Sequence, residues 1–382
     1  MVSMRSTVRR CVLGVLQCCG IIHLWRFFNR SRIVILMIHG VMDSEAPEVW
    51  QPLRPRLASD RLKRFLSVLS RHYQFVSLQC AVDMLDRKIP IKPYCIVVTF
   101  DDGYRNNATK ALPILRQYGV PATFFLATGH MTHRKPYWCD RLDYILQHVP
   151  VHGREIKVAS RTVRLLAADR VALGSSYDEL RRAAKSAHRP DAEMVREMEG
   201  LAHALEAETG RGLTEIFEAD DWTALLTWAE VEQLAADGVS FGSHTVSHVR
   251  LGLVDEKTAI SQLADSKSAI EQHVRGPCRH FAYPNGSFNR RTPELVKKCG
   301  YSSAVTTIEG TNQVGDDPLR LRRFNVPTEG GTTELLARVC GLSESLTKLE
   351  NCLKRLFRIQ GGCMPRVHQD DDSDRSLSVS GG

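Results

Sequence analysis

Three short segments of this chain carry the residue types of hydrolytic chemistry. Thr99-Phe100-Asp101-Asp102-Gly103 sets two carboxylates side by side. His244-Thr245-Val246-Ser247-His248 sets two imidazoles four apart, and Phe281-Ala282-Tyr283-Pro284-Asn285-Gly286 ends a third apolar run on a turn. On a helical turn, imidazoles four apart project from one face and can reach one ion. Zinc takes imidazole and carboxylate ligands, and a catalytic site keeps three protein ligands and an open position. Asp102, His244 and His248 make such a set. Adjacent residues on an extended strand point opposite ways, so Asp101 and Asp102 are not expected to bind the same ion. One would hold the ion while the other faces the water that the ion acidifies, a division that suits hydrolysis. Taken singly, Asp-Asp-Gly is also an ordinary turn and a His pair also an ordinary surface or core pair; their conjunction carries the reading.

Each segment has to be delivered by an element that stops there. Residues 33–41 form a branched apolar run that predicts a buried strand ending at His39-Gly40. Residues 59–72 fit a helix capped by Ser59 or Asp60, with Leu62, Phe65, Leu66 and Leu69 on one face. Residues 73–78 read as a strand and 81–88 as a short helix. Residues 94–100 are the clearest strand, of the continuous apolar type found in parallel sheets. A helix closed by Gly119 follows, then a strand over 121–128. Residues 140–220 are rich in Arg, Ala, Glu and Leu and read as an inserted helical cap. Alternation then resumes: a helix to Gly238, a strand at 239–244, a long helix over 256–274, a strand at 278–284, a helix at 294–300 and a strand at 302–308. Such βαβ alternation predicts parallel strands with helical crossovers, whose carboxyl-end loops gather at one face.

The 382 residues have a net charge of +8 at neutral pH, and no helix-turn-helix, zinc-finger or aromatic RNA-binding pattern accompanies that charge. A nucleic-acid partner is therefore not expected. Much of the excess lies near the N-terminus, in Arg5, Arg9, Arg10, Arg26, Arg30 and Arg32. The apolar stretch 11–28 between them is interrupted by Gln17, His23 and Arg26. It reads as a helix lying on a membrane surface, or packed on the protein, rather than as a span or a cleaved signal peptide. The eleven cysteines are scattered without a Cys-x-x-Cys, which fits small buried thiols in a reducing compartment more than a disulfide framework. The expected organisation is a basic, apolar N-terminal helix over 1–31, a main domain over 32–335, a C-terminal helix over 336–363 and a disordered polar tail over 364–382. The expected location is cytoplasmic or membrane-associated.

From Ile33 to Val326 the chain resembles the polysaccharide deacetylase, or NodB-homology, family. TFDDGY and HTVSH are similar to two of its motifs, and FAYPNG to the third as one branch carries it. The resemblance implies an α/β fold, a distorted (β/α) barrel of fewer than eight strands, here with an inserted helical segment. It implies a hydrolase that removes acetyl groups, mostly N-acetyl, from the sugars of a polysaccharide or oligosaccharide. The implied cofactor is zinc or another divalent cation such as Co2+, Mn2+ or Ni2+. Carried over by motif position, Asp101 is the general base, and Asp102, His244 and His248 are the metal ligands. The backbone N–H near Asn285 faces the oxyanion, with Tyr283 and Pro284 in the same motif. Two departures stand out. Ala282 occupies the place where many members have an arginine that orients the base; Arg323, or less directly Arg322, could substitute from the next strand. A late Leu-x-x-His is missing, and His39 at the end of the first strand would take the general-acid role, unless it only caps or packs there. Trp138, in Tyr137-Trp138-Cys139-Asp140, could stack on a sugar face or be a buried aromatic. Rival readings are an O-acetyl esterase, a non-sugar amide hydrolase, or a glycan-binding or export accessory protein.

Overall fold

The branched apolar runs form strands, and those strands stop where the polar motifs begin. The structure is a computed structural model that describes residues 4–43, 50–186, 190–342 and 345, with side chains from residue 11 onward. In chain order the strands are β1 (Val34–Ile38), β2 (Val41–Met42), β3 (Leu57–Ala58), β4 (Gln74–Phe75), β5 (Cys95–Phe100) and β6 (Ala122–Leu126). They continue with β7 (Glu155–Val158), β8 (Arg161–Arg164), β9 (Ser240–Ser243), β10 (His280–Ala282), β11 (Ser303–Val305) and β12 (Phe324–Asn325). The helices are α1 (Met4–Cys18), α2 (Ile21–Phe28), α3 (Ser59–Leu69), α4 (Leu78–Leu85), α5 (Leu112–Gln117), α6 (Thr128–Thr132) and α7 (Trp138–Leu146). After them come α8 (Arg170–Ser186), α9 (Asp191–Thr209), α10 (Leu213–Ile216), α11 (Trp228–Ala236), α12 (Glu256–Val274), α13 (Thr292–Lys298) and α14 (Thr332–Val339).

The main sheet is parallel throughout and runs β11-β10-β9-β6-β5-β1-β12, with the two-residue β4 also paired to β5. Its two ends meet. Val305 of β11 bridges Leu321, three residues before β12; Leu321 N–H donates to Ala304 O and Thr306 N–H to Leu321 O. The sheet thus curls into a distorted (β/α) barrel closed along this seam. Ile35, Val97, Phe125, Ala282, Val305 and Leu321 share one buried cluster in its interior. Side chains alternate along a strand, so the row that points Val97 inward also points Thr99 and Asp101 inward. The row through Ile35 and Met37 continues in the same way to His39.

Residues between β6 and β9 hold the insertion, which has its own core of Leu142, Ile145, Val163, Tyr177, Leu180 and Met198. It is not wholly helical: β7 and β8 form an antiparallel hairpin at its centre. Barrel, insertion and N-terminal helices belong to one packed unit, Met1–Leu342. Two local expectations are corrected. The strand expected at 73–78 shrinks to Gln74–Phe75, because Ser77 instead caps α4, its hydroxyl accepting from Cys80 N–H. Helix α3 is flanked by Ala58, without a side-chain cap from Ser59 or Asp60.

At the N-terminus, Gly20 in the left-handed region (φ 73°) separates α1 from α2, and the two are bent by 75°. No single helix among the described residues is long and apolar enough to cross a membrane. Leu13 and Ile22 are buried, while Val12, Val15, Leu24, Phe27 and Phe28 are exposed. Arg26 ties α2 to the barrel by donating to His72 O, and its guanidinium lies over the Tyr94 ring. The nine described cysteines are free thiols. The expected C-terminal helix beyond residue 345 and the expected tail at 364–382 lie outside the described residues.

Candidate active site

Asp101 leaves the end of β5 pointing into the barrel, where Arg323 meets it. Arg323 is fully buried and forms a two-pronged ion pair, Nη1 to Asp101 Oδ1 and Nη2 to Asp101 Oδ2, both 2.7 Å. Two further donors are used: Nε gives to Thr306 O at 2.8 Å, and Nη1 also to Thr99 Oγ1 at 3.1 Å. The guanidinium is thus fixed by the seam on one side and by β5 on the other. Burial alone would raise the Asp101 carboxyl, but the Arg323 charge and hydrogen bonds bring it below the ordinary carboxylate range. Arg322 instead hangs outward near Asp316.

Asp102 follows Asp101 on the chain yet does not point away from the site. Its backbone is left-handed (φ 75°), as is Gly103 after it (φ 72°), and this turn brings the second carboxylate round to the histidines. His244 and His248 do not sit on a helical turn, as their spacing suggested. They lie on a loop in which Thr245 (φ 67°) and His248 (φ 54°) are both left-handed. Asp102 Oδ1 is 3.5 Å from His244 Nε2 and 3.3 Å from His248 Nε2. Ligand atoms about 2.1 Å from a tetrahedral ion stand about 3.4 Å apart, so the spacing fits one. Asp102 Oδ1 is buried with no hydrogen-bond partner, and His244 Nδ1 is engaged with Ala282 O at 2.7 Å, which leaves Nε2 its lone pair. With no cation counted, burial works to raise Asp102, yet the two imidazoles hold it well below its ordinary value. Burial opposes the His244 imidazolium, but Asp102 and Asp101 carry it above its usual value, whereas burial wins for His248, which is lowered. Asp102 and His248 are thereby held toward their proton-free forms, the forms in which a carboxylate and an imidazole donate to a cation.

These groups open on a cavity of about 140 Å3 whose walls include His39, Trp138, Lys185, Asn285, Asp101 and Asp102. That is the space of roughly four to five waters, enough for one small reacting group. Burial, the largest influence on His39, lowers its pKa against the pull of Asp102 and Asp101. Trp138 serves two settings, since it lines this cavity and also packs in the core of the insertion. Asn285, left-handed at φ 53°, reaches the cavity, where its Oδ1 accepts from Lys185 Nζ at 2.5 Å. Tyr283 and Pro284, named with it from sequence, do not line the cavity. The Tyr283 ring packs against Phe281 and Phe288 and its hydroxyl donates to Leu319 O, so it braces the seam.

Sequence reasoning passed over Lys185. Its one available signal was that Arg181 and Lys185 are four apart and so share a face of α8. It also passed over Arg250, two residues after His248. Arg250 clasps the buried Asp191 at the start of α9 through Nε and backbone N–H, and gives Nη1 to Lys185 O at 2.7 Å. The insertion is therefore tied to the loop that carries the histidines.

A family model described as polysaccharide deacetylase matches residues 88–304. The Bacillus subtilis (strain 168) protein YxkH, named as a polysaccharide deacetylase, is 20% identical over 299 residues, covering 78% of this chain and 72% of its own length. Among solved structures, the Streptococcus pyogenes deacetylase PplD in complex with acetate matches with a TM-score of 0.53 at 19% identity, over 81% of this chain and 99% of that one. IcaB from Ammonifex degensii matches with a TM-score of 0.51 at 18% identity, over 81% and 97%. At these identities the two structures speak for the fold.

Proposed function

This chain belongs to the polysaccharide deacetylase family, hydrolases of carbon–nitrogen bonds other than peptide bonds, and on that footing we propose that it removes N-acetyl groups from the amino sugars of a polysaccharide or oligosaccharide. The observation that carries the reading is the contrast between two neighbouring carboxylates. Asp102 stands beside two imidazoles with a free buried oxygen, while Asp101 is clamped by a guanidinium. A divalent cation held by Asp102, His244 and His248 would acidify a water and draw charge from the acetyl carbonyl, and zinc, cobalt, manganese or nickel each suit nitrogen and oxygen donors.

Asp101, held ionised by Arg323, takes the proton as water attacks the acetyl carbon; each carboxylate oxygen keeps a second lone pair for this. The backbone N–H near Asn285 steadies the charge that develops on the acetyl oxygen, a main-chain role that does not need the side chain. His39 gives the departing nitrogen its proton. Because burial keeps His39 neutral at rest, the proton it delivers is the one the water lost, passed on from Asp101. The products are acetate and a free sugar amine. Trp138 offers its ring to the sugar at the cavity wall.

The test is acetate release from a panel of N-acetylglucosamine oligomers, with and without added zinc or cobalt. Asp101→Asn is expected to bind metal as the wild type does and to lose at least ~10²-fold in kcat. Asp102→Ala or His248→Ala is expected to lose the metal itself, read by metal content after dialysis. Normal turnover by Asp101→Asn would remove that residue as base. Faster acetate release from an O-acetylated glycan would redirect the assignment to ester hydrolysis.

We further propose that α1 and α2 rest on an anionic membrane surface. The exposed Val12, Val15, Leu24, Phe27 and Phe28, set among arginines, support an interfacial position, and the 75° bend speaks against a single straight span.

A further inference from the structure

The catalytic cavity has a neighbour. A more open groove of about 780 Å3 lies on the insertion, lined by Arg161, Asp178, Arg181, Arg182, Lys185 and Ser186, and the two share Arg181 and Lys185 as wall. The inner cavity has room for a reacting acetamido group but falls short of the roughly 300–1,000 Å3 of a whole small-ligand site. The rest of a substrate must lie outside it, and this groove is of the size to take it.

The groove is cationic. Asp178 is paired with Arg181 at 3.1 Å. Among the described residues, Arg161, Arg182 and Lys185 form no ion pair. The other acids of the inner wall outside the catalytic set are already matched, Glu199 by Lys135 and Asp191 by Arg250. Basic residues near a helix C-terminus often serve the helix dipole, but here the Lys185 carbonyl is taken by Arg250, and the Lys185 ammonium turns away to Asn285. Burial first, then the charges of Arg181 and Arg54, bring the Lys185 ammonium down to about 8. Positive charge is therefore crowded at the junction of groove and cavity, and an arriving anion would relieve it.

We propose that this groove on α8 and the β7–β8 hairpin binds an oxyanion substituent, carboxylate or phosphate, on the acetylated glycan, so that the substrate class is an acidic amino-sugar polymer. The inference rests on the deacetylase reading of the adjoining site. Guanidinium groups match both oxyanions in shape and charge. Lys185 stands where the bound sugar passes from groove to cavity and acts as a positioning residue.

The experiment compares three oligosaccharides of equal length: an N-acetylglucosamine hexamer, its carboxymethyl derivative and its phosphorylated derivative. With the full chain and added zinc, the kcat/KM of at least one anionic derivative should exceed that of the neutral hexamer at low salt. The excess should collapse as salt rises, and the derivative that shows it tells carboxylate from phosphate. In Arg161→Glu/Arg182→Glu, with an unchanged Tm, the anionic-to-neutral ratio should fall roughly tenfold, through KM rather than kcat. Equal rates on all three, or an unchanged ratio in the double variant, would overturn the proposal. Should no acetate appear from any of them, the deacetylase reading fails separately. Equilibrium binding of the same three oligosaccharides then decides the groove: tighter anionic binding abolished by the double variant upholds it, and equal binding overturns it.

Discussion

Arg323 does for Asp101 what a third-motif arginine would have done from position 282. The guanidinium arrives from the strand on the far side of β1, and its four hydrogen bonds leave it no freedom to turn. Because the pair holds Asp101 below its ordinary value, it contributes stability above the usual carboxylate range, lost as pH falls through the lowered value. Arg323→Met should leave a buried carboxylate unpaired. The acid limb of kcat/KM should then move up by roughly 1–3 pH units, and stability at neutral pH should drop by about 3–5 kcal/mol, a gap that narrows in acid. An acid limb that stays put in this variant would show that something else keeps Asp101 ionised. Residue types and spacing made the carboxylates and imidazoles legible in the sequence, and Arg323 was in view as the substitute. The route by which the histidines converge was not legible: Asp and His favour a left-handed backbone without dictating it, and the β-branched Thr245, also left-handed, gives no local sign of it. Tyr283 was misplaced for the opposite reason: its motif neighbours the site, but its ring is what the seam packs on.

At the scale of elements, the insertion departs most from what was expected of it. Its composition read as helix, yet Ile156 and Val158, then Val163 and Leu165, alternate in the period of a strand, and Ile156 pairs with Val163 in the β7–β8 hairpin. The signal was there but short, and the helix-rich surroundings masked it. Nothing in local sequence announced the Arg250–Asp191 clasp, since its partners are 59 residues apart. Breaking one side of this buried pair, by Arg250→Met or Asp191→Ala, should cost about 3–5 kcal/mol, read as a fall in Tm. It should also raise KM, because Lys185 loses the hand that holds its backbone. A variant with wild-type Tm and KM would show that the insertion keeps its place without the clasp.

For the molecule as a whole, alternation of branched runs with helical stretches was enough to read a parallel, barrel-like sheet, because strands buried on both faces leave a plain apolar signature. How the barrel shuts was not readable, as a single bridge at Leu321 carries it. The N-terminal helices divide their faces between protein and exterior. Phe27→Asp/Phe28→Asp should abolish co-sedimentation with vesicles rich in anionic lipid and leave Tm unchanged. Ile22→Ala, at a buried position, should instead lower stability by about 2–5 kcal/mol. Vesicle binding that survives the double aspartate change would remove the membrane proposal. The closing seam has one more consequence. The strand that locks the ring is also the strand that delivers the partner of Asp101. A chain still open at that edge, whether newly made or partly unfolded, leaves Asp101 without its guanidinium partner, so the carboxylate proposed as base takes its orientation only when the last strand has docked.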